Sequence, residues 1–363
     1  VPEEVASGAQ CAQARAPKGG KREAAEILVT SENRTLQLIV GDALEELRKL
    51  PDHSVDCCVT SPPYWGLRQY DIRPSVWNED PYCKHEWEDA WGAGGKRGHL
   101  CRFCEAWLGA LGMEPWPQMF VHNLCEVCDE IARVLKPRGT FWLNIGDSYY
   151  DGPAQNGFKP KDLCGIPWET ALSLRSRGWW LRQDIIWAKA NPLPEPVLDR
   201  CVRSHEYLFL LTRSRKYYFD YQAIEEPCTD ARYRLQGKIR PETSAYNPNV
   251  PGEEGFRLGM NLHRQAGPRP TRRKRSVWRI PTQPVGQGHN AAFPVALARP
   301  CVLAGCPPDG VVLDPFCGTG TVGVVAVKHG RRFIGIDISQ QFIEIARRRI
   351  ESAAPLFVNG GGA

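Results

Sequence analysis

The chain has 363 residues, 42% of them hydrophobic, enough to bury one substantial core and still carry an insertion or small second domain. No run approaches the ~18 apolar residues of a membrane span, and residues 1–30 contain Lys18, Gly19, Gly20, Lys21 and Arg22 but no apolar signal-peptide core, so they read as a flexible tail. A net charge of +5 says less than its distribution, and 14 cysteines without a secretion signal point to a reducing cytoplasm, where some can serve as metal ligands.

In chain order, seven segments rich in β-branched and aromatic residues read as buried or half-buried strands: Leu36–Val40, Val55–Thr60, Gly139–Ile145, Trp180–Ala188, Tyr207–Thr212, Gly310–Asp314 and Arg332–Ile336. Amphipathic helices are expected over Glu126–Leu135, stopped by Pro137, over Asp162–Arg177, stopped by Gly178, and over Gln340–Ile350. The alternation predicts an α/β layered fold with a largely parallel sheet. Residues 71–112 break it as an insertion, and residues 221–280, rich in Pro, Gly, Asn and Arg, as a loop-built surface. The resulting division is a tail (1–30), a catalytic part (31–70), the insertion, a second catalytic part (113–220), the loop region, a cofactor-binding part (281–354) and a frayed end (355–363).

The insertion holds Cys83-Lys84-His85 and Cys101-Arg102-Phe103-Cys104, separated by 15 residues. C-x-H followed by C-x2-C has the ligand types and number of a closed tetrahedral zinc site; the alternative is four ordinary side chains among tryptophans. Cys125 and Cys128 also spell C-x2-C, but within a helical pattern, where that spacing puts both on one buried face. Between Arg213 and Arg275 there are 14 Lys+Arg against 7 Asp+Glu, ending in Arg272, Arg273, Lys274 and Arg275. This run is a candidate phosphate-binding footprint, with a solvated loop as the alternative.

Two motifs carry chemistry. In VVLDPFCGTGTVG, a strand ends at Asp314, Gly318, Gly320 and Gly323 form G-x-G-x-x-G, a helix opens near Thr321, and Asp337 ends the following strand. Such a turn lets backbone N–H groups approach an adenosine ligand, and the second-strand carboxylate can accept from both ribose hydroxyls. The glycines alone do not separate a dinucleotide site from other adenosine sites. Asp314, Pro315 and Phe316 crowd the turn where a pyrophosphate would need room. In VDCCVTSPPYWGL, Thr60 closes a strand and Ser61-Pro62-Pro63-Tyr64 follows. The prolines stiffen the loop and leave carbonyls as acceptors, Ser61 adds a hydroxyl, and Tyr64 a flat ring.

Together, SPPY and DPFCGTGT resemble the amino-methylating DNA methyltransferases of bacteria and phages. SPPY precedes the cofactor loop, as in the circularly permuted β class of that family. GDALEELRKLPDHSVDCCVTSPPY, NIGDSY, KPKDLCGIPW, SHEYLFLL, KRSVW and HNAAFP extend the likeness over roughly residues 35–352. Cys317 departs from it, standing where Ala is more usual. The resemblance implies a permuted, seven-stranded Rossmann-like sheet with one strand reversed at the edge. It implies S-adenosylmethionine as cofactor, with Asp337 on the ribose and Phe316, Gly318, Thr319, Gly320 and Thr321 around its methionine and sugar. Asp314 joins this cofactor set, Phe293 and Pro294 support the pocket, and Asp42 lies near the adenine or the rim. Ser61, Pro62, Pro63 and Tyr64 are the catalytic tetrad, with Tyr64 stacked on a flipped base. Cys57 and Cys58 are strand packing rather than nucleophiles.

The expected reaction is methylation of the exocyclic N4 amine of cytosine in double-stranded DNA, because Ser at the first tetrad position is the variant associated with cytosine. Adenine N6 is the runner-up. An RNA base methyltransferase and an inactive zinc-bearing DNA-binding module are rivals, disfavoured by the long basic region 221–280 and by the intact motifs respectively. A cognate restriction endonuclease and a homodimeric partner belong to the expectation, a membrane does not, and the site of action is the cytoplasm.

Overall fold

The computed structural model describes residues 36–66, 74–92, 95–228, 271–285 and 289–354. The expected tails and most of the expected loop region, residues 229–270, lie outside these. An eight-stranded sheet forms the centre, in the order β1 (Leu36–Val40), β16 (Arg332–Asp337), β15 (Val311–Asp314), β2 (Val55–Thr60), β7 (Leu135–Ile145), β9 (His205–Thr212), β8 (Trp180–Lys189) and β12 (Val277–Ile280). The first five run parallel, β9 is antiparallel to both neighbours, and β12 is parallel to β8.

All seven expected strands are present, but an eighth extends the sheet and the reversed strand is not at the edge. The eighth is β12, which lies inside the stretch read as loop. It is four residues long and follows a basic run, yet Trp278 and Ile280 are buried on alternate positions against Trp187 and Ile185. Trp187 donates its indole N–H to the Ile280 carbonyl at 2.9 Å.

Among the described residues, six helices cover the two faces. α1 (Ala43–Lys49), α2 (Pro117–Val134) and α3 (Ile166–Ser176) bury their apolar sides in one core with Cys58, Phe141, Leu143 and Leu313. On the other face α4 (Val295–Gly305), α5 (Thr321–Lys328) and α6 (Gln340–Ala353) pack with Cys57, Val59, Trp142 and Val312. Consecutive strand residues point into opposite cores, so these strands are apolar throughout rather than alternating. Cys57, Cys58, Cys125 and Cys128 are buried as packing groups, and burial pushes Cys125 up to about 12.

Local chemistry sets the helix ends. Asp42 caps α1, accepting from Leu44 N at 2.9 Å and Glu45 N at 3.2 Å, and Pro117 opens α2 at a position that needs no donor. α2 begins nine residues before the expected start, and its chain passes into β7 at Leu135.

The insertion forms its own antiparallel sheet, ordered β3 (Ser75–Trp77), β6 (Trp107–Gly109), β5 (Lys96–Cys101), β4 (Trp87–Gly92). Two short pairs complete the described strands: β10 (Glu226–Pro227) with β11 (Thr271–Arg272), and β13 (Gln283–Val285) with β14 (His289–Ala292).

Candidate active site

The chain leaves β15 outward toward β16 through α5, and leaves β2 in the other direction toward β7 through α2. A crevice therefore opens beyond the carboxyl ends of β15 and β2, where open α/β sheets bind ligands. A cavity of about 340 Å³ occupies this place. Ser61, Pro62, Pro63 and Tyr64 line it, and so do Asp42, Phe293, Asp314, Phe316, Gly318, Thr319, Thr321 and Asp337. Two members of the expected set, Pro294 and Gly320, are not on its wall. Gly320 instead sits at φ +77°, where a Cβ would come within 2.7 Å of the Ala346 Cβ on α6. Both the positive φ and that contact require a residue without a side chain.

Asp337 organises the glycine turn. One carboxylate oxygen accepts from Gly318 N and the other from Ser339 N, each at 2.9 Å. Asp314 accepts from Thr60 Oγ1 at 2.6 Å and from Phe316 N at 3.1 Å. Burial, together with the charge of Asp337, pushes the Asp314 carboxyl up to about 7, against the lowering effect of these two donors. Burial likewise raises Asp337, while its two backbone donors oppose the shift. Asp42 spends one carboxylate oxygen on capping α1 and accepts with the other from Ser75 Oγ at 2.9 Å. The insertion thereby contributes Ser75 and Trp77 to the cavity wall.

The tetrad is held from several elements. The Tyr64 ring lies over Gly146, where a Cβ would come within 2.6 Å of ring carbon Cε2, so that position admits no side chain. Its hydroxyl meets Ser61 Oγ at 3.2 Å, Asn144 Nδ2 at 3.0 Å and Glu206 Oε2 at 2.6 Å. Glu206 in turn pairs with Lys189 Nζ at 2.6 Å.

Asn144, Asp147, Trp187, Lys189, Arg203 and Glu206 all line the cavity, and none was singled out from the sequence. The segments NIGDSY and SHEYLFLL did mark the neighbourhoods of several of them without giving any side chain a role. Asp147 is committed elsewhere: it caps α3 by accepting from Gly165 N and Ile166 N, each at 3.1 Å.

The insertion brings Cys83, His85, Cys101 and Cys104 together, their ligand atoms within 4.8 Å of one another. Cys83 Sγ and Cys101 Sγ are 3.7 Å apart, and Cys104 Sγ is 3.4 Å from His85 Nδ1. Tetrahedral zinc with Zn–S bonds of about 2.3 Å holds sulfurs about 3.8 Å apart, so the spacing fits that ion. Glu79 Oε1 faces the outer ring nitrogen, Nε2, at 3.7 Å, as a carboxylate does when it orients a ligating imidazole. Phe103 N–H donates to Cys101 Sγ at 3.5 Å.

The basic run is away from the cavity wall. Arg272 and Arg275 both pair with Glu226, at 2.9 and 3.1 Å, Arg273 lies over the Tyr221 ring and Lys274 over that of Trp278.

Residues 55–348 match the family model described as DNA methylase, of N6 and N4 type. The Type II methyltransferase M.SmaI of Serratia marcescens is 36% identical over 345 residues, covering 90% of this chain and 94% of its own. M.Cfr9I of Citrobacter freundii, also a Type II methyltransferase, is 36% identical over 334 residues, covering 86% and 87%. Among solved structures, the PvuII cytosine-N4-specific DNA methyltransferase superposes with a TM-score of 0.55 at 15% identity over 90% of this chain and 94% of that one. A putative DNA modification methylase of Thermus thermophilus, complexed with S-adenosyl-L-methionine, gives 0.50 at 23% identity over 88% and 94%. The parallel sheet, the two loops that meet beyond it and the extent of these matches agree, and the chain belongs to the family of amino-methylating N6/N4 DNA methyltransferases.

Proposed function

We propose that this protein transfers a methyl group from S-adenosylmethionine to the exocyclic N4 amine of a cytosine in double-stranded DNA. The observation that carries the reading is the opening of the Ser61–Tyr64 loop and the Gly318–Asp337 turn into one cavity. Three carboxyl groups on its wall, Asp42, Asp314 and Asp337, suit a ligand bearing ribose hydroxyls and positive charge. Bound S-adenosylmethionine supplies a methyl group activated by its sulfonium.

The amine needs help from the protein. Its lone pair is delocalised into the ring and its base is stacked in the duplex, so the base is flipped into the pocket. There the Pro62 carbonyl and Ser61 hydroxyl accept from the two amino hydrogens. That holds the nitrogen nearer to tetrahedral geometry and returns electron density to it. Tyr64 offers its ring face to the extruded base. Orientation of this kind supplies several kcal/mol without a covalent intermediate.

The choice of cytosine rests on Ser61. The rest of the reading follows the family resemblance, the Cys/His spacing of the insertion and the clustering of basic residues. The chain is a circularly permuted methyltransferase with the seven-part division given above and a target-reading region at 221–280. Cys83, His85, Cys101 and Cys104 hold a structural zinc. Arg272, Arg273, Lys274 and Arg275 contact DNA phosphates. It serves a restriction-modification system in the cytoplasm of a bacterium or of a phage-infected cell, beside a cognate endonuclease and as a homodimer.

The test is the product. DNA methylated by the purified protein and digested to nucleosides is expected to contain N4-methylcytosine by mass spectrometry. N6-methyladenine would overturn the Ser61-based choice and keep the mechanism. 5-Methylcytosine would overturn both, since ring-carbon methylation needs a cysteine nucleophile.

A further inference from the structure

Glu206 reaches the cavity from the reversed strand. Because β9 runs against its neighbours, its first residues lie at the edge where the parallel strands end. There the Glu206 carboxylate collects Tyr64 Oη at 2.6 Å, Asn144 Nδ2 at 2.9 Å and Lys189 Nζ at 2.6 Å.

The donor inventory fixes the direction of each bond. A carboxylate paired with lysine only accepts. It orients the Asn144 amide nitrogen-first, because the amide oxygen would face a negative charge. Tyr64 must then give its single hydroxyl proton to Glu206. Its two oxygen lone pairs accept from Asn144 Nδ2 at 3.0 Å and Ser61 Oγ at 3.2 Å. The Ser61 proton consequently points at Tyr64, and the lone pairs of Ser61 are left for the cavity.

We propose that Glu206 is a positioning residue that sets the polarity of the chain Ser61–Tyr64–Glu206, so that Ser61 meets the target base as a hydrogen-bond acceptor. This rests on the reading that Ser61 faces the exocyclic amine. A serine presenting its own proton there would compete for the lone pair that must attack. With the polarity set, Ser61 receives an amino hydrogen instead. As positive charge develops on the nitrogen, every dipole in the chain is already aligned toward an anion.

Glu206→Gln keeps the side-chain shape but reverses the order. Its amide oxygen serves Lys189, its amide nitrogen donates to Tyr64, the Tyr64 proton turns to Ser61, and the Ser61 proton turns into the cavity. At saturating cofactor and DNA, the single-turnover rate of Glu206→Gln is expected to fall about tenfold or more, with both dissociation constants within about twofold of wild type. In a Tyr64→Phe background there is no hydroxyl to reverse, and the same substitution should change the rate by less than about twofold.

An unchanged rate for Glu206→Gln, or an equal loss in both backgrounds, overturns the assignment. If Glu206→Gln does not fold, Tyr64→Phe carries the test alone: a slower single turnover is expected, and a wild-type rate overturns the proposal. Ser61→Ala separates the two levels. At full speed it removes the reading of the tetrad itself. Slow Ser61→Ala beside normal Glu206→Gln removes only the role of Glu206.

Discussion

Thr60 and Asp314 are 254 residues apart in the chain, and the Thr60 hydroxyl donates to the Asp314 carboxyl at 2.6 Å where neighbouring strands β2 and β15 end. The bond ties the strand that leads into the tetrad to the strand that leads into the cofactor turn. Both partners are buried, so its loss leaves a polar group without compensation from water. Thr60→Val is expected to lower stability by about 1–3 kcal/mol, read as an earlier denaturation midpoint with an unchanged denaturant slope. A midpoint equal to wild type would show that the bond contributes nothing net.

The same carboxyl should make cofactor binding depend on pH. Its folded value, about 7, lies above the ordinary 3.8, so the protonated form is the one the buried site accepts. The stability it contributes is whole below about pH 4 and is lost as pH rises through 7. A cationic cofactor favours the ionised form, so binding between pH 5 and 7 should expel up to about one proton and tighten as pH rises. Calorimetry in buffers of different ionisation enthalpy measures that proton. Asp314→Asn should remove most of it, and Asp337→Asn is the control, since burial raises that group too. Identical enthalpies in every buffer would dismiss the linkage.

Asp337→Ala removes the acceptor for Gly318 N and Ser339 N as well as the proposed ribose contact. S-Adenosylmethionine affinity should drop by about tenfold or more, each 1.4 kcal/mol being one decade, while circular dichroism shows the fold retained. Wild-type affinity would place the ribose elsewhere.

Protein purified without chelators should carry about one zinc per chain. Cys101→Ser with Cys104→Ser should expose residues 75–109 to hydrogen exchange, since metal binding free energy is folding free energy in such modules. Because Ser75 holds Asp42 on the cavity wall, cofactor affinity should fall as well. Elemental analysis without metal would remove the site.

Neutralising Arg273 and Arg275 should weaken DNA binding and flatten the slope of log K against log salt by roughly 0.9 per lost phosphate contact. Arg272 should matter less, because it is less exposed than Arg275 beside their shared partner Glu226. Equal binding at every salt concentration would make the run a solvated surface.

Much of the layered sheet was legible because its central strands are apolar on both faces and most of its strands end near Gly or Pro. The two chemical loops were legible for a related reason: Pro62, Pro63 and the glycines constrain the backbone locally, whatever packs on them. Other features depend on distant partners. α4 carries Pro300 in its middle, which reads as a break, and its burial overrides that local cost. β12 is a strand only because β8 supplies a ladder and Trp187 a donor. Glu206 lies 142 residues from Tyr64 and enters the site through the reversal of β9, which no local pattern encodes.

The neck of the insertion has a consequence of its own. Its incoming strand β3 pairs with its outgoing strand β6, Ser75 opposite Gly109 and Trp77 opposite Trp107. Chain enters and leaves the module about 5 Å apart, one strand spacing. Whatever is grafted beyond that neck closes on itself without stretching the catalytic loop. Evolution, or an engineer, can therefore lengthen, shorten or exchange the Cys/His module while β3 keeps Ser75 and Trp77 on the cavity wall.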